Sequence, residues 1–373
     1  MKSLFRRAAS AAAPAPMPML SFQGKRPKHF TVDTSAAERN VELEAFMRAR
    51  RLVVLSSERD GGGEAVAADL RAYIREIEVV AGPRFEAAVR RVEPSSSQLE
   101  FVWQDAVAGG RHRWTTAAEG CQCHTSLETE RAMALVALSA ELARGAAAED
   151  RRGVDGIRRA CAALCDAAGA LREAAAGRAP GVSPTHLTAL EGLMLAQALE
   201  CYFELAVAGG RPPALCSMVA RQVSLDYGQV GAALESPELR QHADHRSWAA
   251  HAEAKAAYFA AEACLRAARA RRAAGDVGVA IARLRQALAS LKGLRPLKKA
   301  AAPVQDAAKW LNREVEAELA GAEQDNCRIY CMASPAVGTL AELQQQLVRP
   351  TPLENILQQG THGGGGGAPA AGG

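Results

Sequence analysis

The residues of this sequence that are best suited to chemistry are two thiols and an imidazole, Cys121, Cys123 and His124. Thiolate and imidazole groups are the usual ligands of zinc, so this run is a candidate metal site. However, the sequence offers no second ligand pair at the spacing of zinc proteins, and neighbouring sulfurs alone do not complete a tetrahedron. We therefore predict no metal and interpret the run as a loop with free thiols.

Three histidines in a polar stretch, His242, His245 and His251, are a second candidate. A spacing of three residues places His242 and His245 on one face of a helix. No acidic residue accompanies them in the H-E-x-x-H arrangement of zinc proteases. We predict that this stretch is the solvated start of a helix.

Motifs of catalytic nucleophiles and of phosphate binding are missing from the sequence. There is no G-x-S-x-G elbow, no signature around a cysteine, and the glycine run 61–63 lacks the G-K-[ST] ending of a phosphate-binding loop. The net charge of +4 comes from 45 basic and 41 acidic residues that are interspersed, which does not indicate a nucleic-acid surface. These observations predict a protein that is not an enzyme, holds no cofactor and binds no nucleic acid.

Three side chains around a predicted turn are candidates for a binding surface. Leu215 and Val219 are four residues apart near the start of one helix, and Tyr202 is near the end of the preceding helix. Gly209-Gly210 followed by Pro212-Pro213 predicts a short turn between antiparallel helices, which would bring these ends together. Such a groove suits an amphipathic helix of a partner. On pattern alone, ordinary core positions are the simpler interpretation.

The elements that must position these residues are mainly α-helices. Alanine is abundant, aromatic residues make up only 5% of the chain, and apolar residues recur at helical spacing. Helices are predicted over residues 35–56, 64–90, 126–144, 154–175 and 184–208, and a pair around Gly275 within 247–291. Ser183 is the predicted N-cap before Pro184. The pair around Gly275 has the alternation of small and large residues seen in tetratricopeptide-like helix pairs.

One segment follows a different pattern. Leu99, Phe101 and Trp103 alternate with polar or small residues, and Gly109-Gly110 follows as a turn before a second aromatic stretch that ends at Trp114. This alternation predicts a small β-hairpin over residues 99–114.

The two ends of the chain have low complexity, which predicts three regions: an extension over 1–27, a folded domain over 28–357 and a glycine-rich disordered tail over 358–373. The extension has no acidic residue, which is typical of both organelle transit peptides and disordered tails. The nine cysteines lack regular spacing, which favours a reducing compartment with mostly buried free thiols. No apolar run reaches the length of about 18 residues that a spanning helix needs, so any membrane contact is expected to be peripheral.

Several motifs in order resemble the Bro-one domain family, the module of Alix- and rhophilin-like proteins. The matching segments are LMLAQALECYF over 193–203, FVWQDA over 101–106, DNCRIY over 325–330 and LVRPTPL over 347–353. The resemblance covers about residues 28–355 and is greatest to short, single-domain members of the plant type.

The resemblance implies an elongated, curved helical domain with a tetratricopeptide-like centre and a small β-element. It also implies an adaptor that binds the C-terminal amphipathic helix of an ESCRT-III subunit in endosomal sorting or membrane remodelling, in the cytoplasm and peripherally at endosomal membranes. Carried over residue by residue, the partner-helix groove falls on Tyr202, Leu215, Val219 and Leu347. Here Tyr202 adds a hydroxyl where phenylalanine is usual, and Val219 is smaller than the usual leucine. The alternative is a structural helical scaffold whose groove is closed or repurposed, located in an organelle if the N-terminal extension is a transit peptide.

Overall fold

Ten α-helices dominate the part of the chain that the computed structural model describes. This part comprises residues 14–28, 41–58, 63–81, 100–105, 121–177, 183–241, 245–292, 301–343 and 352–358. The helices are α1 (Val41–Glu58), α2 (Gly63–Val80), α3 (Leu127–Ala148), α4 (Val154–Ala176), α5 (Pro184–Ala208), α6 (Pro213–Leu234), α7 (His245–Ala273), α8 (Val277–Lys292), α9 (Ala302–Asp325) and α10 (Leu353–Gln358). The predicted mainly α fold is confirmed.

Helix ends follow the local signals in the sequence. The amide of His186 donates to the Ser183 hydroxyl at 3.3 Å, as expected of an N-cap. Between α7 and α8, Gly275 has a φ of 83°, a conformation that suits glycine. The next residue, Asp276, begins α8 by accepting from the amide of Val279 at 3.4 Å. By contrast, α2 ends at Val80, and residues 82–90 of the predicted helix lie outside the described residues.

A small antiparallel sheet takes the place of the predicted hairpin. Its strands are β1 (Lys25–Pro27), β2 (Phe101–Asp105) and β3 (Cys121–His124), in that order across the sheet. The β-strand predicted around Phe101 and Trp103 is confirmed, and both side chains are completely buried. The predicted return strand ending at Trp114 lies outside the described residues. The strand that pairs with β2 is Cys121–His124, so the interpretation of this run as a loop was wrong.

Strand β1 comes from the N-terminal segment that was predicted to be an extension. Residues 14–28 lie against the folded part of the chain, with Met17, Met19 and Phe22 buried. A Cβ on Gly24 would lie 3.1 Å from the Cα of Ala137, so glycine permits the close approach of this segment to α3. The packed part of the chain therefore begins before residue 28, the boundary suggested by low complexity.

The described residues belong to two compact units. The sheet unit contains the described residues within 21–148, 162–194 and 349–373. The hairpin unit contains those within 1–20, 149–161 and 195–348. The sheet, α1, α2 and α3 belong to the sheet unit, whereas α6 to α9 belong to the hairpin unit. Of the candidate groove residues, Tyr202, Leu215 and Val219 fall within the hairpin unit.

The core of the sheet unit holds a buried carboxylate, Glu130, with a set of donors that we call the Glu130 cluster. The Arg50 guanidinium pairs with Glu130, and both side chains are almost completely buried. The Tyr73 hydroxyl donates to one carboxylate oxygen at 2.7 Å, and the Trp103 indole N–H donates to the other at 2.7 Å. The cluster therefore connects α1, α2, α3 and β2.

Small side chains dominate the interior of the hairpin unit. Helix α7 buries Ala252, Ala254 and Ala261 completely, and Phe259 fills the space beside them. The Ser217 hydroxyl of α6 donates to the carbonyl oxygen of Ala263 at 2.8 Å, so the two helix backbones approach closely. The abundance of alanine in the sequence thus has a packing explanation.

Candidate functional site

The helical hairpin of α5 and α6 is closed by the short turn over residues 209–212. The amide of Arg211 donates to the carbonyl oxygen of Ala206 at 2.9 Å, a bond typical of the Schellman motif. Gly210 has a φ of 62°, and Pro213 is the first residue of α6. The turn predicted from the Gly-Gly and Pro-Pro pairs is confirmed.

The candidate groove residues differ in their exposure. Tyr202, near the end of α5, is 37% exposed, and Leu215, in the first turn of α6, is partly buried. Val219 is completely buried, so it can only support the surface from below. Leu347 lies outside the described residues. A partner could therefore touch Tyr202 and Leu215 directly, but it could not reach Val219 in this conformation.

Two further apolar residues of α6 were missed in the sequence. Met218 and Leu225 are partly exposed, like Leu215, and follow it by three and ten residues. Residues at these spacings lie on one side of a helix. We call Leu215, Met218 and Leu225 the α6 stripe. The spacing of seven between Met218 and Leu225 was the signal that could have identified it.

The aromatic pair at the end of α5 is divided between surface and core. Tyr202 is exposed, whereas the neighbouring Phe203 points inward and meets Phe259 edge to face, with ring centroids 5.5 Å apart. The guanidinium of Arg266 lies 5.7 Å from the centre of the Phe203 ring. Because the buried ring holds this turn of α5 in place, Tyr202 is presented from a fixed position.

A buried ion pair lies beneath the hairpin. The Lys255 ammonium of α7 is 2.7 Å from the Glu200 carboxylate of α5, and both side chains are completely buried. The Tyr227 hydroxyl of α6 donates to the same carboxylate oxygen at 2.5 Å. This oxygen therefore joins α5, α6 and α7, the helices that present Tyr202 and the α6 stripe.

Arg151 extends this network to the N-terminal segment. Its guanidinium lies 2.7 Å from Glu204 and also donates to the carbonyl oxygen of Met17. Burial and the neighbouring Glu200 charge raise the pKa of Glu204 to about 7. The Gln197 side-chain amide forms two bonds with the backbone of Leu20, at 2.5 and 3.0 Å. These polar groups all serve contacts within the unit, whereas Tyr202 and the α6 stripe are partly exposed, with Arg221 beside Met218 and Leu225.

Of the candidate metal ligands, His124 serves the core of the sheet unit, whereas Cys123 is exposed. His124 Nε2 lies 3.3 Å from the Glu130 carboxylate, and Nδ1 lies 3.2 Å from the carbonyl oxygen of Ser126. Burial, with the nearby charge of Arg50, lowers the pKa of His124 to about 4. In the described ranges, no group of three or more His, Cys, Asp or Glu side chains could hold a metal ion. The Cys121 side chain lies outside the described residues.

The expectation of a solvated helix start was wrong for His251. This residue is buried in α7, where burial and the Lys255 charge lower its pKa to about 3. His242 and the side chain of His245 lie outside the described residues. The prediction treated the three histidines as one stretch, but His251 has buried alanines on both sides, Ala250 and Ala252.

Lowering the pH should reduce the stability of the folded protein, because His124 is neutral in the fold. Between pH 6.5 and about pH 4, the unfolded chain binds a proton at this imidazole and the folded chain does not, so stability falls as the pH decreases. His124→Gln should lose less stability over this window than the parent protein. Urea unfolding of both proteins at several pH values measures the difference, and His251, unchanged in both, is the internal control. Identical losses in the two proteins would contradict the prediction.

Among the helices that the structure describes, none has the length and apolar character required to cross a membrane.

Comparison with protein families gives a match over most of the chain. The family model described as BRO1-like domain matches residues 28–363. The vacuolar-sorting protein BRO1 of Arabidopsis thaliana is 32% identical over 271 residues, which are 69% of this chain and 31% of that protein. Human Rhophilin-1 is 31% identical over 243 residues, 62% of this chain and 33% of that protein. The chain thus spans about a third of the length of these relatives.

Solved structures share the fold. The structure described as the ALIX BRO1 CHMP4C complex superposes with a TM-score of 0.73 at 21% identity, covering 92% of this chain and 98% of that chain. Another, described as the structural basis for endosomal targeting by the Bro1 domain, gives a TM-score of 0.70 at 14% identity, covering 92% of this chain and 96% of that chain.

Proposed function

The chain belongs to the BRO1-like domain family, and from this membership we propose that it is a non-enzymatic adaptor in endosomal sorting or membrane remodelling. Its partner is the C-terminal amphipathic helix of an ESCRT-III subunit. It acts in the cytoplasm, peripherally at endosomal membranes. One of the solved structures with this fold is described as a complex with CHMP4C, which is an ESCRT-III subunit, and this likeness motivates the choice of partner.

The observation that carries the proposal is the apolar surface on two consecutive helices. Tyr202 is exposed on α5, and the α6 stripe begins just after the four-residue turn that ends α5. An amphipathic helix offers apolar side chains at spacings of three and four residues, which suits a stripe with helical spacing. Because both helices are fixed by the Glu200 network, the surface needs little ordering when the partner binds.

The four proposed contributors have different roles. Tyr202 and Leu215 contact the partner directly, with Met218 and Leu225 extending the contact along α6. Val219 supports Leu215 from within the unit, since its side chain is completely buried. Leu347 stays in the proposal as a late apolar contributor.

A charged residue in the α6 stripe should abolish binding. Leu215→Asp places a carboxylate in the centre of an apolar contact, and loss of a central anchor costs about 2 kcal/mol or more, roughly a 30-fold weaker affinity. The measurement is calorimetric titration of the full chain with synthetic C-terminal peptides from a panel of ESCRT-III subunits.

The matched control is Leu52→Asp, which places the same charge at another exposed leucine, on α1. Both variants should keep the helical circular dichroism of the parent, because neither leucine is fully buried. If Leu215→Asp binds every peptide that the parent binds with equal affinity, the proposed site is wrong. If the parent binds none of the peptides, the choice of partner is wrong.

The complete burial of Val219 favours a second candidate function. In this alternative the chain is a structural helical scaffold whose groove is closed or repurposed, and an N-terminal transit peptide would direct it to an organelle. The titration separates the two, since a closed groove predicts no binding by the parent. Imaging of the full chain with a C-terminal fluorescent tag separates endosomal from organellar localisation.

A further inference from the structure

The segment that follows α9 carries two exposed cysteines, Cys327 and Cys331. The helix continues here as a π-helical turn over Asn326–Tyr330. Cys331 ends the turn with a φ of 52°, and its amide donates to the carbonyl oxygen of Asn326 at 2.7 Å. The Asn326 side chain accepts from the amide of Met332 at 3.0 Å and donates to its carbonyl oxygen at 2.9 Å. The fold thus bends the chain back immediately after the two cysteines.

The Cys331 side chain turns back toward the backbone of Cys327. The sulfur of Cys331 lies 3.9 Å from the carbonyl oxygen of Cys327. Residues four apart on a helix have Cβ atoms about 5–6 Å apart, and a disulfide requires about 3.5–4.5 Å. The π-helical turn and the left-handed backbone of Cys331 depart from regular α-helical geometry, so the tip of the turn has to rearrange and tighten for the sulfurs to bond.

The tip of the turn has room to tighten, whereas the chain at the base of the turn is held against α8. A Cβ on Gly278 of α8 would lie 2.2 Å from the carbonyl oxygen of Ala333, so the chain just beyond Met332 lies directly on α8. The tip, in contrast, is exposed to solvent, with Ile329 70% exposed and Tyr330 46% exposed. Both cysteines belong to the exposed part.

Four other thiols lie in the hairpin unit; that of Cys161 is partly exposed, and the other three are shielded. Cys201, Cys216 and Cys264 are buried, and burial raises the pKa of each thiol, that of Cys264 to about 11. Because the thiolate is the form that reacts, these three are poor nucleophiles. Exposure therefore singles out Cys327 and Cys331 within this unit.

We propose that Cys327 and Cys331 are a modification site, at which a hydroperoxide such as hydrogen peroxide forms a reversible disulfide. The thiolate of one cysteine attacks a peroxide oxygen, the O–O bond breaks, and the departing hydroxide takes up a proton to give water and a sulfenic acid. The second thiol then attacks the sulfenic sulfur, the S–O bond breaks, and a second water leaves. Two thiols are oxidised to one disulfide while one peroxide is reduced to two waters.

The disulfide encloses Arg328, Ile329 and Tyr330 in a small ring. Ile329 and Tyr330 are among the most exposed apolar side chains in the described residues, and Met332 follows directly after the ring. Oxidation thus constrains the part of the surface that displays these side chains, and reduction by a thiol releases it.

The test is peptide mapping of the full chain after reduction, removal of the reductant and treatment with hydrogen peroxide. Trypsin cleaves after Arg328, inside the ring, so an oxidised pair leaves two peptides joined by their disulfide. We expect this linked pair in the non-reduced digest and its separation after reduction. Cys327→Ser and Cys331→Ser should each abolish it.

Mixing isotopically light and heavy protein before oxidation shows whether the bond forms within one chain. A pair joined within one chain gives only light–light and heavy–heavy products. Mixed products, or sulfinic acid on either cysteine without the linked pair, would overturn the proposal. A linkage of either cysteine to Cys123, which is also exposed, would overturn it as well.

Discussion

Glu130→Ala should destabilise the protein by about 3–5 kcal/mol, because removal of one partner leaves a buried charge uncompensated. The Arg50 guanidinium would lose its carboxylate in a core where both side chains are almost completely buried. The Tyr73 hydroxyl and the Trp103 indole N–H would lose the acceptor that each now bonds at 2.7 Å. Urea unfolding of the variant and the parent measures this loss.

A conservative variant separates the charge from the hydrogen bonds. Glu130→Gln keeps an acceptor of the same size but removes the negative charge, so its loss should lie between the parent and Glu130→Ala. The matched control is Glu141→Ala, also on α3, whose carboxylate pairs with Arg144 near the surface. Such pairs contribute about 0–1 kcal/mol. A loss at Glu130 no larger than at Glu141 would show that the cluster does not stabilise the core.

Lys255→Met should cost at most a similar amount, about 3–5 kcal/mol, because the buried Glu200 carboxylate would lose its ammonium partner and keep only the Arg151 guanidinium, 3.6 Å away. The Lys255 ammonium and the Glu200 carboxylate are 2.7 Å apart and completely buried. Methionine keeps an unbranched side chain only one atom shorter than that of lysine, so the loss reports the charge more than the volume. Thermal and urea unfolding should both show the lower stability.

The double variant Lys255→Met/Glu200→Leu tests the cause. Replacing a whole buried ion pair with apolar residues is often neutral, so the double variant should recover much of the stability that Lys255→Met loses. The recovery is expected to be partial, since the Tyr227 hydroxyl also loses its acceptor. A double variant less stable than the sum of the single losses would contradict this explanation.

The helices could be predicted from the sequence because their signals are local. The predicted ends of α5 at residues 184 and 208 agree with the structure, where proline and glycine mark both boundaries. The outer strands of the sheet lacked such signals. Strand β1 has three residues and includes Pro27, which an edge strand tolerates but a strand pattern does not suggest. Strand β3 contains two cysteines and a histidine, with no alternation of apolar and polar residues.

For the candidate site, sequence patterns alone could not separate exposed residues from buried ones. An apolar residue on a helix can face the core or line a groove, and periodicity does not distinguish the two, so Val219 could not be recognised as buried. Charged residues in helices are usually exposed, so the burial of Glu200 and Lys255 was not predicted. The pairing of such residues depends on helices that are distant in the sequence.

The N-terminal segment has a consequence for the order of folding. Residues 17–20 are synthesised well before the residues they contact, since Leu20 bonds Gln197, which is 177 residues later. Met19 contacts the Lys255 ammonium, 236 residues later, at 3.8 Å. Contacts of such long sequence separation form slowly because the intervening chain must first be closed into a loop. During synthesis, the apolar side chains of Met17 and Met19 therefore stay exposed until α7 has emerged. In this period the unfinished chain is more prone to aggregation than the folded protein.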